Sequence, residues 1–290
     1  MAAYTTALSK QPFEKTYIDA FAGTGYREKS STRAKQHETE RLLLEGEPKQ
    51  AELLESLSNA EEDEESVQDF LDGSARIALK CRPPFDRYIF IEKRPSRCKK
   101  LDQLKTEFSS VSEKISIEQD NSNTFIQKMC KQNWRDKRAV LFLDPYGMQV
   151  CWETIEVIAA TKSIDLWVLF PLGGVNRMLT QSGEIPAMWR KRLNELFGSE
   201  DWDKEFYKLE EFPSLFEEPV QKIFKAKTEV ISKYFLKRLR SCFPHVAPQP
   251  AVLYNSKNSP LFLFCFAAGN PGTGGKIALR IASHILKMGM

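Results

Sequence analysis

Four carboxylates stand where an α/β fold collects ligands. Asp19 lies within the apolar burst Tyr17-Ile18-Asp19-Ala20-Phe21, and Glu92 closes the run RYIFIE. Asp120 and Asn121 follow Ile115 to Gln119, and Asp144 follows the wholly apolar AVLFL, Ala139 to Leu143. Carboxylates in such places accept hydrogen bonds from sugar hydroxyls, an amino group or an adenine amine. Scattered polar decoration would not put an acid at each run's end so regularly. After the first run come Ala22, Gly23 and Gly25, and glycine lets the backbone approach a ligand closely. The fourth run opens into Asp144-Pro145-Tyr146-Gly147. There an acid is followed by a rigid bend and by an aromatic ring.

The apolar runs read as buried strands, being short and rich in β-branched and aromatic residues. Between them lie helical spacings: Ala75 to Leu79 after a capping Ser74, Pro95 to Phe108, Thr124 to Gln132 and Val150 to Thr161. Asp165 to Phe170 (DLWVLF) is a fifth strand. Helices are expected around 184–197 and 219–240, and Lys276 to Lys287 closes the chain as another. Five apolar strands alternating with helices predict a parallel sheet covered on both faces. Ala251 to Tyr254 and Leu261 to Ala267, joined by a short turn-rich segment, must pair antiparallel. In an open parallel sheet ligands bind at the carboxyl ends of the strands, which is where the four acids fall.

The chain has 290 residues, 42% hydrophobic and 28% charged, an ordinary balance for a globule with a large core. We read one α/β domain over 1–290, with an acidic helical insertion at 29–73 and a helical elaboration at 176–245. No apolar run approaches the ~18 residues of a membrane span, and the first residues lack the apolar block of a signal peptide. The six cysteines form no CxxC pair and the three histidines are scattered, so no metal site is expected. Several cysteines sit in apolar runs and read as reduced core residues of a cytoplasmic protein. The net charge of +3 hides an asymmetry: residues 45–72 hold eleven acids and one base, a net of −10, which leaves +13 elsewhere. That body suits an anionic partner. Met188-Trp189-Arg190-Lys191-Arg192 and the lysine-rich stretch 219–240 are the expected nucleic-acid surface. The acidic block reads as a solvated insert or as an internal mimic of nucleic acid.

The string Asp19-x-Phe21-x-Gly23-x-Gly25 resembles the first motif of class I S-adenosylmethionine-dependent methyltransferases. That resemblance implies a Rossmann-like, seven-stranded sheet, mostly parallel with an antiparallel C-terminal pair, and S-adenosylmethionine as cofactor. It implies a cofactor site at Asp19, Phe21, Ala22, Gly23 and Gly25, with Glu92 and Lys93 at the ribose and Asp120 and Asn121 at the adenine. Asp144-Pro145-Tyr146-Gly147 resembles the DPPY motif of amino-methyltransferases acting on nucleic acid bases, with one proline fewer and the tyrosine third; it makes Asp144, Pro145 and Tyr146 the catalytic candidates. YIDAFAGTG, GSARIAL, FDRYIFIEK, LFLDPYGMQVCWETIEVIA, LWVLFPLGGVNRML and FAAGNPGTGGKIALRIA together resemble the three-Cys-motif partner family, which implies a nearby-encoded partner carrying a three-cysteine motif. Little chain precedes the first strand, where methyltransferases often place a helix, so that wall of the site must come from elsewhere.

Other readings fit less well. A dinucleotide fingerprint wants an acid ~20 residues after its glycines, whereas Glu92 lies 67 beyond Gly25. Gly269 to Lys276 misses P-loop spacing, since Asn270 stands where glycine is needed and Ile277 where Ser or Thr is needed. It reads as a strand-to-helix turn. No GxSxG occurs, and Glu92 is followed directly by Lys93, so neither a serine hydrolase nor a metal-dependent nuclease is indicated. A non-catalytic subunit that binds nucleotide within a complex stays open beside the enzyme.

Overall fold

The computed structural model describes residues 6, 11–28, 70–212 and 220–288. In chain order these form β1 (Glu14–Asp19), β2 (Tyr26–Glu28), β3 (Phe70–Asp72), α1 (Ser74–Leu79), β4 (Arg87–Ile91) and α2 (Pro95–Glu107). A 3-10 turn, Ser109–Lys114, leads to β5 (Ile115–Glu118), α3 (Ser122–Cys130), β6 (Lys137–Leu143), α4 (Trp152–Ala160) and β7 (Ile164–Phe170). Then follow α5 (Leu172–Met178), α6 (Ala187–Phe197), α7 (Trp202–Phe206), β8 (Tyr207–Phe212), β9 (Val220–Lys225) and α8 (Thr228–Cys242). The chain ends in β10 (His245–Val246), β11 (Ala251–Tyr254), β12 (Pro260–Ala268) and α9 (Thr273–Met288).

The main sheet has the order β10-β12-β7-β6-β1-β4-β5, with β11 also on β12. The pairings among β5, β4, β1, β6 and β7 are parallel, and β12 runs antiparallel to β7, β10 and β11. This is the expected Rossmann-like sheet of seven strands, plus the two-residue β10. The order reverses at β1: the chain goes next to β4 and β5 on one side, then to β6 and β7 on the other. A crevice therefore opens above the carboxyl end of β1, because successive crossovers leave it in opposite directions.

Each strand alternates between two packed faces. Tyr17, Tyr88, Phe90 and Val140 pack with Ala75, Ala78, Leu79, Leu101 and Leu104 of α1 and α2. Ile18, Ile89 and Leu141 turn the other way, toward Ile126, Ile155, Ile158, Phe235 and Leu239 of α3, α4 and α8. On that side Phe170 stacks on Phe235 with centroids 4.0 Å apart. Covering on both faces is why these strands read as apolar runs rather than alternating ones.

Four expectations are corrected. The stretch 219–240 is not one helix: Val220–Lys225 pairs antiparallel with Tyr207–Phe212, and α8 starts only at Thr228. The β-branched and aromatic residues of Val220, Ile223 and Phe224 favour the ribbon, so the 176–245 elaboration is helical only in part. The helix expected at 184–197 starts at Ala187, directly after Pro186, whose ring suits a helix start. The ends of the 29–73 insertion are a two-stranded stem, Tyr26–Glu28 with Phe70–Asp72; the helices expected within Thr39 to Leu57 lie outside the described residues. Gly73, not Ser74, is the N-cap of α1. No helix among the described residues is long and apolar enough to cross a membrane.

Candidate functional site

Asp19 ends β1 beneath the crevice and is wholly buried. Its Oδ1 accepts from the Phe21 N–H at 3.3 Å, while its Oδ2 is buried and meets no donor in hydrogen-bonding geometry. Burial raises the carboxyl to about 7. The nearby Ser74 hydroxyl and the Phe21 N–H pull it down, and the charges of Asp144 and Glu92 push it up again. Tyr17, two residues earlier on the same face, is raised by burial and then by Asp19 and Asp144. Thus Asp144, at the end of the neighbouring β6, lies close enough for its charge to be felt at β1.

Glu92 follows β4 and is also buried. Its Oε1 accepts from the Arg94 N–H at 2.8 Å, which turns the chain into α2. Asp120 lies beyond β5, where its Oδ1 takes the Asn121 N–H at 2.7 Å and its Oδ2 sits 3.8 Å from Lys128 Nζ. The sheet order places the ends of β6, β1, β4 and β5 side by side. All four predicted acids therefore belong to one edge, and two of them, Glu92 and Asp144, act on Asp19.

The backbone between Asp19 and Gly25 is shaped for close approach. Ala22 N–H donates to the Ile91 carbonyl at 3.0 Å, which ties the bend to β4. Gly23 has φ +62, and a side chain there would meet open space. Gly25 has φ +77, and an added Cβ would come to 3.0 Å from Leu104 Cδ1, so the backbone and the packing of α2 both favour glycine. Not every predicted ligand residue turns its side chain to this edge. Phe21 packs against the core, Lys93 is exposed, and the Asn121 side chain is engaged as the cap of α3, accepting from the Asn123 and Thr124 N–H groups.

The Asp144-Pro145-Tyr146-Gly147 loop opens directly from β6. Asp144 is half-buried, Pro145 is buried and Tyr146 is 42% exposed. Gly147 takes φ +61, where glycine avoids the steric cost of a Cβ. Three positioning residues escaped the sequence reading. The Ser122 hydroxyl donates to the Ala20 carbonyl and ties the turn after β5 to the end of β1. Ser74, the first residue of α1, lies close enough to Asp19 to lower its carboxyl. Asn123 Nδ2 donates to the Gln149 carbonyl, and its Oδ1 accepts from the Cys151 N–H and the Thr154 hydroxyl. The only signal for these was polar residues at the start of a helix, a pattern shared with ordinary caps.

A second buried acid sharpens the contrast. Asp165 is also raised by burial to about 7, yet it lies at the opposite, amino edge and accepts from the Gly269 N–H at 3.1 Å. There the glycines serve packing. A Cβ at Gly269 would come within 2.5 Å of the Ile164 carbonyl, and one at Gly275 within 1.9 Å of the Asn270 carbonyl. The Gly269 to Lys276 segment is a strand-to-helix turn. Trp189 packs on the core, and Arg190 pairs with Asp203 at 2.9 Å. Among the described residues no group of three or more His, Cys, Asp or Glu could hold a metal ion.

No protein-family model matches the chain, and no curated protein matches it. Among solved structures it is similar to a Legionella pneumophila str. Philadelphia 1 protein of the DUF519 family, with TM-score 0.50 and 14% identity over 99% of this chain and 88% of that one. It also aligns with an S-adenosylmethionine-dependent methyltransferase from Clostridium acetobutylicum (TM-score 0.35, 9% identity, 92% of this chain and 90% of that one). A third is a proposed rRNA methylase from Clostridium thermocellum (TM-score 0.28, 10% identity, 78% of this chain and 94% of that one). Only the first superimposes well enough for the fold to be called shared.

Proposed function

We propose that the chain binds S-adenosylmethionine in the crevice above β1 and transfers its methyl group. One observation carries the reading: Asp19 is wholly buried with no cation beside it among the described residues, the Phe21 N–H and the nearby Ser74 hydroxyl being its donors, and it is pressed by the charges of Glu92 and Asp144, at the point where the strand order reverses. Such an arrangement is costly unless something positive or donating completes it. S-adenosylmethionine fits that requirement, since it carries a sulfonium, an ammonium and a ribose diol, and its chemistry is donation of an electrophilic methyl. Asp19 would hold the positive end of the molecule, Glu92 the ribose, and Asp120 the adenine edge. The bend at Gly23 leaves room for this approach.

Methyl transfer is an in-line displacement, so the protein's work is positioning. Asp144 would accept from the attacking group, and Tyr146, exposed beside it, would hold the acceptor. The similarity of Asp144 to Gly147 to the DPPY pattern favours a nucleic acid base amine, flipped out to reach the site. In keeping with the wider resemblance, a three-Cys-motif protein is the proposed partner, with cytoplasmic residence. Calorimetric titration with S-adenosylmethionine tests the reading: micromolar binding is expected, abolished in Asp19→Ala. Absence of heat with the wild-type protein would sink it. A nucleotide-binding subunit without catalysis is the alternative, favoured by the missing second proline. It predicts cofactor binding and copurification with the partner, but no methyl incorporated into any nucleic acid.

A further inference from the structure

The last acid in the chain is Glu229. Residues 230–290 hold Lys233, Lys237, Arg238, Arg240, Lys257, Lys276, Arg280 and Lys287, eight cations with no carboxylate. The rest of the chain therefore carries 3 − 8 = −5. Helix α8 carries four of these cations and α9 three, Lys276, Arg280 and Lys287. Lys276, Arg280, His284 and Lys287 recur at helical spacing and line, with Pro248, Leu279 and Ser283, a groove of about 510 Å³. All four are exposed, and none pairs with an acid among the described residues. Inwardly, α9 packs Ala278, Ala282 and Leu286 against Ala251, Phe266 and Ala268, so its cationic side is free of the core.

Four cations of the basic stretches singled out from sequence are already engaged. Lys237 pairs with Glu205 at 3.0 Å, Arg190 with Asp203, and Lys225 donates to the Asn176 carbonyl. Arg238 donates to the Phe197 carbonyl and lies over the Trp152 ring. Those cations already have partners within the protein.

We propose that the α9 groove binds a single-stranded nucleic acid. Its phosphates run along Lys276, Arg280, His284 and Lys287, and a base or sugar rests on the apolar floor of Leu279 and Pro248. Cations one helical turn apart are separated by about 6 Å, the scale on which successive phosphates of an extended strand recur. The proposal deepens the reading of the acceptor given above and rests on it for its purpose.

Fluorescence anisotropy with a labelled single-stranded RNA of about 20 nucleotides is the test. Binding by the full chain is expected, and Lys276→Glu/Arg280→Glu/Lys287→Glu should weaken it at least about tenfold. The slope of log K against log salt should fall by about 2, the share of three lost phosphate contacts. Lys191→Glu/Arg192→Glu, on α6, should bind as wild type does. No binding by the wild-type chain at low salt would overturn the proposal. So would undiminished binding by the α9 variant, or loss of binding in the α6 variant alone. S-adenosylmethionine calorimetry on the same α9 variant separates the two readings: retained cofactor binding with lost RNA binding confines the effect to the groove. RNA binding without cofactor binding in the wild type would sink the methyltransferase reading and leave the groove standing.

Discussion

Across the β1–β6 pair, the charge of Asp144 adds to burial in raising the carboxyl of Asp19. With Asp19 at about 7, much of it is protonated near neutrality. A cationic ligand prefers the ionised carboxylate. Binding should therefore release a proton, and affinity should rise with pH through about 7 and level off above it. Calorimetry in buffers of different ionisation enthalpy reads this directly. A pH-independent enthalpy and affinity between pH 6 and 8 would count against Asp19 as the contact.

The same shift makes a statement about stability. The folded-state value lies above the unfolded one, so between about 4 and 7 the folded chain holds the extra proton, and stability falls as pH rises through that window. At pH 8 the ionised Asp19 burdens the fold. Asp19→Asn should therefore melt several degrees higher at pH 8 and lose cofactor binding, the exchange expected where a site is held at the expense of the fold. A lower melting temperature at pH 8 would mean that the carboxylate is structural.

Asn123 spends its amide on the segment that follows Tyr146. Asn123→Ala removes these bonds and leaves the part-buried Cys151 N–H without its acceptor, a cost of about 1 kcal/mol. Urea unfolding should show that loss. Amide exchange should quicken at 147–151 while S-adenosylmethionine affinity holds, and methyl transfer should fall because the acceptor loop is no longer fixed.

Glycine substitutions should separate the two edges of the sheet. Gly275→Ala forces a Cβ onto the Asn270 carbonyl, so thermal melting should report a loss of about 1–3 kcal/mol, with ligand affinity unchanged in the protein that remains folded. Gly23→Ala meets no neighbour and carries only the strain of its positive φ, about 1–2 kcal/mol. Its larger effect should be on cofactor affinity.

The strands and their acids were legible because burial on both faces leaves an uninterrupted apolar run with a polar residue at its end, as in AVLFL before Asp144. The crossing order was not written locally; the alternation of helices and strands implied only a parallel sheet. The ribbon β8–β9 was missed because Val220 to Lys225 is short enough to read as the first turns of α8, and only its pairing with Tyr207–Phe212 decides the matter. Ser74, Ser122 and Asn123 were invisible as site residues for a related reason. Their partners Asp19, Ala20 and Gln149 lie 55, 102 and 26 residues away, beyond any local pattern. Asn121 shows the converse: a residue that looked like a ligand contact is used up by the helix it starts.

Gly73 N–H donates to the Gly25 carbonyl at 3.0 Å, directly beside the β2–β3 pairing. The turn that would cradle the methyl donor is thus clasped to the start of α1, so whatever displaces α1 also loosens that turn. A donor molecule that stiffens the turn would steady α1 in equal measure, since such coupling runs both ways.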